Sequence, residues 1–256
     1  MPLRARSRLG KYRVTSRIAV GGFAEVYAAF DTIQGQRVAL KVQRENAPKD
    51  EIELFHKEIR LMSRLDHPNI LPVLNADEID GRLVVAHPLG EESLAWRLQR
   101  RIGMDKALEL FEQVLEALAY AHGKRIIHCD VKPDNVILFE GNVAMLADFG
   151  LARYAQRTVM ASGSGTLGYM SPEQAMGRPS FRSDVFSAAM ILYRMLTGEL
   201  PQWPFRWPLP AHAKLRRKAS PAQIAFLRRC LQVDHRKRYA NAETMLRMYH
   251  RALSRT

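Results

Sequence analysis

The spacing of apolar residues changes once along this chain, near Pro88. Before it, YRVTSRIAV (12–20), EVYAAF (25–30) and VALKV (38–42) are short β-rich runs separated by turn residues such as Gln34 and Gly35, the pattern of an antiparallel meander. EIELFHKEIRLMSRL (51–65) differs: Ile52, Phe55, Ile59, Met62 and Leu65 fall on one helical face, predicting an amphipathic helix over 50–65 that His67-Pro68-Asn69 terminates. ILPVL (70–74) and RLVVA (82–86) read as two further strands. Beyond Pro88 helical spacing dominates, in SLAWRLQRR, MDKALELFEQVLEALAYAHGK, SDVFSAAMILYRMLTGE, SPAQIAFLRRCLQ and NAETMLRMYHRAL. Ser183, Ser220 and Asn241 are candidate N-caps of the last three, and Gly123 and Gly198 suit helix C-terminal ends.

The pattern predicts an α+β protein: a small β-rich half with one main helix, a short connector at 87–91, and a larger helical half. Composition agrees with a folded chain of 256 residues, 47% hydrophobic and 25% charged. The longest uncharged apolar run, 185–193, is roughly half a membrane-spanning helix, and MPLRARSRLGKYR lacks the apolar core of a secretory signal. No span is expected, and the expected location is cytoplasmic unless a longer parent chain carries an anchor. Two cysteines, Cys129 and Cys230, without metal-ligand or pairing spacing, suit a reducing compartment. The formal charge of +13 favours acidic partners. It is spread along the chain, apart from short clusters such as KLRRK (214–218), and no nucleic-acid-binding signature accompanies it. Specific nucleic-acid binding is not expected.

Four elements carry chemistry. AVGGFAEVY (19–27) places Gly21 and Gly22 in a turn between strands, where bare backbone N–H groups can approach phosphate oxygens; a hairpin glycine pair is the plainer reading. VALKV holds one lysine, Lys41, in an apolar strand, and an ammonium there needs a partner or an open edge. Glu58 on the following helix can supply that partner. HCDVKPDN (128–135) gathers Asp130, Lys132 and Asn135 about Pro133: a carboxylate to accept a hydroxyl proton, a cation to balance phosphoryl charge, and an amide oxygen for a metal. ADFG (147–150) offers Asp148 as a second oxygen ligand for a hard cation.

In this order and spacing the motifs resemble those of the eukaryotic-type, or Hanks-type, serine/threonine protein kinases, with a bacterial flavour, over roughly 12–253. The resemblance implies a bilobal kinase-like fold, with 1–88 as an ATP-binding N-lobe and 89–256 as a catalytic C-lobe. It implies ATP with Mg2+, or alternatively Mn2+, and transfer of the γ-phosphoryl group to Ser or Thr of a protein substrate. In its terms Lys41, paired with Glu58, contacts the α- and β-phosphates. Asp130 is the catalytic aspartate, Lys132 the γ-phosphate contact, and Asn135 and Asp148 the metal ligands. Adenine would be held by Ile18, Val26, Ala39 and Ile137 against the connector at Pro88 and Leu89. His87 stands at the back, or Ala86 if the register slips by one. Gly21 and Gly22 cover the phosphates.

The same resemblance pairs Glu173 of SPE (171–173) with Arg238 and makes Asp184 the residue that holds the catalytic loop. It stacks Val73, Met62, Phe149 and His128 internally. Lys132 two residues after the aspartate, and Gly165-Thr166 before SPE, follow the serine/threonine pattern rather than the tyrosine one. The long segment between ADFG and SPE separates the chain from small-molecule phosphotransferases. The alternative from another class is a pseudokinase, a nucleotide-binding scaffold or signalling module.

Three departures from the family pattern stand out. Ala19 and Ala24 replace two glycines of the phosphate loop, which lowers nucleotide affinity without removing binding. Cys129 stands where regulated members have an arginine before the catalytic aspartate. That arginine forms a positive pocket filled by an activation-segment phosphate, so its loss predicts activity that needs no such phosphorylation. A redox role for Cys129 is the other reading, and a small residue filling space the plainest. Self-phosphorylation is expected within Thr158, Ser162 and Ser164. WPFRWPLPAHAKLRRK (203–218) replaces much of the family's helix after Gly198, which puts substrate docking there in question.

Overall fold

A computed structural model describes residues 3–21, 24–149 and 166–254. They form two compact units: Met1–Asp66 with Leu71–Glu91, and His67–Ile70 with Glu92–Thr256.

In the first unit a six-stranded antiparallel sheet runs in the order β1-β2-β3-β4-β6-β5, from β1 (Arg8–Leu9), β2 (Tyr12–Val20), β3 (Ala24–Asp31), β4 (Gln36–Gln43), β5 (Asn75–Ile79) and β6 (Arg82–Pro88). Side chains alternate across it. Val38, Leu40 and Val42 of β4 join Val84 and Ala86 of β6, Tyr27, Ala29 and Tyr12 in one buried cluster. The opposite face carries Ala39, Lys41, Val85 and His87, with Ala39 directly across from His87 and Lys41 across from Val85. Helix α1 (Lys49–Met62) packs there through Phe55 against Leu83 and Val85, with Ile52, Ile59 and Val73 at the edge. It ends three residues before the expected Leu65, in a turn.

ILPVL does not form a strand. Ile70 makes only an isolated bridge to Leu146, and sheet pairing begins where the Leu74 N–H donates to the Ala86 carbonyl at 2.8 Å. The strand that follows is the polar NADEI. Pro72 lacks a ladder donor, and an outermost strand needs no apolar alternation.

The second unit is built on α3 (Met104–Gly123) and α5 (Phe181–Thr197). Residues 185–193 of α5 are all buried, so the apolar run belongs to a helix covered on every side. Among the described residues no helix is long and apolar enough to cross a membrane. Helix α8 (Ala242–Leu253) lies against α3, where the Tyr249 hydroxyl donates to the Leu108 carbonyl at 2.8 Å and its ring meets Phe111 edge-on at 5.2 Å. A small sheet, β7-β8-β9 (Glu92–Ser93, Val136–Phe139, Val143–Leu146), completes the unit.

SLAWRLQRR is helical only over α2 (Leu94–Arg97). α5 begins after Ser180 rather than at Ser183, whose Oγ instead accepts the Ser180 N–H at 3.1 Å. Ser220 and Asn241 do cap α7 (Pro221–Cys230) and α8, accepting from the Gln223 and Thr244 N–H groups respectively. Gly198 ends α5 at φ 77°, as a left-handed helix stop requires. Gly123 closes α3, but Arg125 takes the positive φ, 61°. The proline-rich 203–211 is irregular and leads into α6 (His212–Lys218).

Candidate active site

In the first unit β4 brings Lys41 to the face covered by α1, and its Nζ lies 2.6 Å from Glu58 Oε1. The ammonium also sits 5.6 Å from the centre of the Phe55 ring. Lys41 is 11% and Glu58 6% exposed. Such burial is tolerable because each charge faces the other. Val26 lies across from Lys41, and Ala39 and His87 are adjacent on the same face, whereas Ala86 points into the opposite cluster. The His87 Nδ1 lies 2.8 Å from the Pro72 carbonyl, which can only accept, so Nδ1 carries the hydrogen. Ile18 is exposed, in a stretch of β2 where register shifts interrupt the ladder. Pro88 ends β6, and Pro88 and Leu89 are half-buried. At Gly21 the N–H donates to the Ala24 carbonyl at 2.9 Å, and a Cβ there would meet that oxygen at 3.1 Å. The tight turn thus favours glycine. Gly22 lies outside the described residues.

In the second unit the loop between α3 and β8 carries Asp130, Lys132 and Asn135. Lys132 Nζ lies 2.7 Å from Asp130 Oδ2. The Asn135 amide nitrogen donates to the Asp130 carbonyl at 2.8 Å and to its Oδ2 at 3.0 Å. Both amide hydrogens are therefore committed to Asp130. The Asn135 carbonyl accepts the Ala147 N–H at 2.8 Å, so the residue before Asp148 is tied to Asn135. Asp148 itself has φ 62°. Ile137 follows on β8, half-buried.

Asp184, from the first turn of α5, grips the loop from beneath. Its two oxygens accept the N–H groups of His128 and Cys129, each at 2.8 Å, and a third bond from His122 Nε2 at 2.9 Å. The His122 Nδ1 accepts the Ala242 N–H at 2.9 Å, which fixes its hydrogen on Nε2 and joins α8 to the same carboxylate. His128 Nε2 donates to the Ala147 carbonyl at 2.9 Å, its Nδ1 accepts the Asp130 N–H at 3.2 Å, and its ring meets Phe149 at 4.5 Å. Met62 is buried and Val73 packs against the Phe55 cluster, both within the first unit.

Glu173, in α4 (Pro172–Ala175), receives two bonds from Arg238, at 2.8 and 3.0 Å. Cys129 adopts φ 63° and is 5% exposed. Burial first, then the charges of Asp184 and Asp130, push its thiol well above the ordinary value. The thiol is thus held protonated. Thr158, Ser162, Ser164 and Gly165 lie outside the described residues, and Thr166 opens a short 3-10 turn, Thr166–Tyr169.

Among the described residues no three His, Cys, Asp or Glu side chains gather as a metal cluster. The candidate pair of Asn135 and Asp148 would not form one, because half of it is an amide. Its donors, one amide oxygen and one carboxylate, fit a hard divalent cation that keeps several waters or takes oxygens from a phosphate. Two residues of this site escaped the sequence reading. His122 carried no signal beyond its place in the last turn of α3, and Gln174, whose Nε2 donates to the Cys129 carbonyl, meets a residue 45 positions away.

The architecture and this constellation define a protein kinase domain. The family model for the protein kinase domain matches residues 12–250, and the chain belongs to that family. It is 36% identical over 215 residues to the serine/threonine-protein kinase pkn2 of Myxococcus xanthus, covering 78% of this chain and 26% of that protein. It is 32% identical over 204 residues to the serine/threonine-protein kinase PrkC of Bacillus subtilis, covering 75% of this chain and 31% of PrkC. The chain thus spans about a quarter to a third of the length of these curated relatives. The kinase domain of Mycobacterium tuberculosis PknI shares the bilobal fold, with a TM-score of 0.75, 23% identity and coverage of 98% of this chain and 100% of that one. By family, the domain is a serine/threonine protein kinase domain, a phosphotransferase.

Proposed function

We propose that the chain transfers the γ-phosphoryl group of ATP to serine or threonine hydroxyls of a protein substrate, using Mg2+, with Mn2+ as the alternative ion. The observation that carries this reading is the Asp130 carboxylate held by Asn135 and Lys132 on a loop whose N–H groups are fixed by Asp184.

Lys41, kept in place by Glu58, would bind the α- and β-phosphates, with the Gly21-Gly22 turn over them. Val26, Ala39, Ile18, His87, Pro88, Leu89 and Ile137 would line the adenine. Asn135 and Asp148 would hold the metal, which when bound would neutralise charge on the phosphates. Asp130 accepts the hydrogen of the incoming hydroxyl and orients it, while Lys132 offsets charge near the γ-phosphoryl group. Positioning and fixed charge supply most of the rate enhancement in such a site.

Activity without activation-segment phosphorylation belongs to the same proposal. The protonated Cys129 thiol brings no positive charge that a phosphate would have to neutralise. Self-phosphorylation within 158–164, a cytoplasmic site of action, and a lobe boundary near Pro88 complete the reading. Turnover of radiolabelled ATP on a generic basic protein and on the chain itself, with Asp130→Asn and Lys41→Met as controls, tests it.

A further inference from the structure

Cys129 occupies the left-handed region at φ 63°, a conformation that costs a residue with a side chain free energy and persists only where its surroundings over-determine it. The peptide planes on both sides of it are indeed fixed. The plane before it is held by its own N–H, which donates to Asp184 Oδ1 at 2.8 Å. The plane after it joins the Cys129 carbonyl to the Asp130 N–H in one rigid unit. Its N–H end donates to His128 Nδ1 at 3.2 Å. Its oxygen end accepts from Gln174 Nε2.

Gln174 is suited to that task. It is 4% exposed and follows Glu173, which is anchored by Arg238 and by the Ser183 hydroxyl at 2.7 Å. Because a peptide plane is stiff, moving its oxygen rotates the Cα–Cβ bond of Asp130 and with it the carboxylate. A glutamine that only filled space would be replaceable by methionine, which has similar length and no N–H.

We propose that Gln174 is a positioning residue for phosphoryl transfer: by donating to the Cys129 carbonyl it completes the clamp that keeps Cys129 left-handed and aims Asp130. The inference rests on Asp130 acting as proposed above.

The test compares the parent chain with Gln174→Met, Cys129→Gly and the double variant. Gln174→Met lowers kcat by roughly 10- to 100-fold, as small misplacements of a reacting group do, with KM for ATP within about twofold. Glycine occupies φ 63° without penalty, so in the Cys129→Gly background the same substitution costs much less. Hydrogen exchange of a peptide covering 126–132 reads the clamp without needing turnover: faster in Gln174→Met, slowed again in the double variant. If Gln174→Met fails to fold, the inference requires Cys129→Gly to restore folding and the exchange pattern. Unchanged kcat and exchange in Gln174→Met, or losses that simply multiply in the double variant, overturn it. A parent chain without turnover would count against the proposed function alone, because the exchange comparison still judges Gln174.

Discussion

Arg238 holds Glu173 with two parallel bonds, at 2.8 and 3.0 Å, and the guanidinium is fully buried while the carboxylate is 12% exposed. The remaining donors of Arg238 reach the Gln232, Arg182 and Val233 carbonyls. One side chain thereby joins α4, the start of α5 and the turn after α7. Removing a partner from a buried pair leaves a charge without compensation, which costs about 3–5 kcal/mol. Arg238→Ala is expected to lower unfolding stability by that order in urea titration, with most of the loss avoided when Glu173 is replaced by Gln in the same chain.

The pair also sets a pH dependence. Burial alone would push the Glu173 carboxyl up, but the bonds from Arg238 and Ser183 outweigh it and hold the group below its ordinary value of 4.5. With the folded value below the unfolded one, the stabilisation is complete above about pH 4.5 and disappears as pH falls through the folded value. Urea midpoints measured from pH 6 downward should therefore fall more steeply in the parent than in Glu173→Gln.

Lys41 and Glu58 form the corresponding pair of the first unit, 2.6 Å apart. Lys41→Met removes the cation proposed above to bind the α- and β-phosphates, and turnover is expected to drop by roughly 10²–10³, the usual scale for one electrostatic contact. Glu58→Gln keeps a hydrogen-bond acceptor but loses the charge, so its loss should be smaller. Steady-state assays over a range of ATP concentrations measure both.

Cys129 is expected to resist chemistry. Burial and the neighbouring carboxylates of Asp184 and Asp130 disfavour its thiolate, and the thiolate is the reactive form. Iodoacetamide should label it far more slowly in the native chain than after unfolding, as read by mass spectrometry, and mild peroxide should leave turnover unchanged. Rapid native labelling would restore the redox reading.

Turnover should also be indifferent to phosphatase. The chain dephosphorylated to completion, checked by mass, is expected to retain most of its initial rate on a generic substrate. An inactive dephosphorylated form would show that a phosphate is required despite Cys129.

Much of this was legible in the sequence because it is local or motif-borne. The VALKV strand and the helix that follows both form, and they bring Lys41 to Glu58. The Glu173–Arg238 pair and the grip of Asp184 on the loop that carries Asp130 appear where the family resemblance implied them. What failed was decided by tertiary context. ILPVL has strand composition, yet the polar NADEI takes the edge position beside β6. SLAWRLQRR has helical spacing over nine residues, but the helix stops at Arg97. The roles of His122 and Gln174 depend on partners 62 and 45 positions away, and no local pattern announces such pairings.

The most direct measurement is phosphate transfer from radiolabelled ATP by the parent chain and by Asp130→Asn. Labelled serine or threonine in the substrate is expected with the parent, and a rate lower by roughly 10²–10⁴ with the variant, the usual contribution of a positioned proton acceptor. Transfer that proceeds equally well without the Asp130 carboxylate would contradict the role given to it.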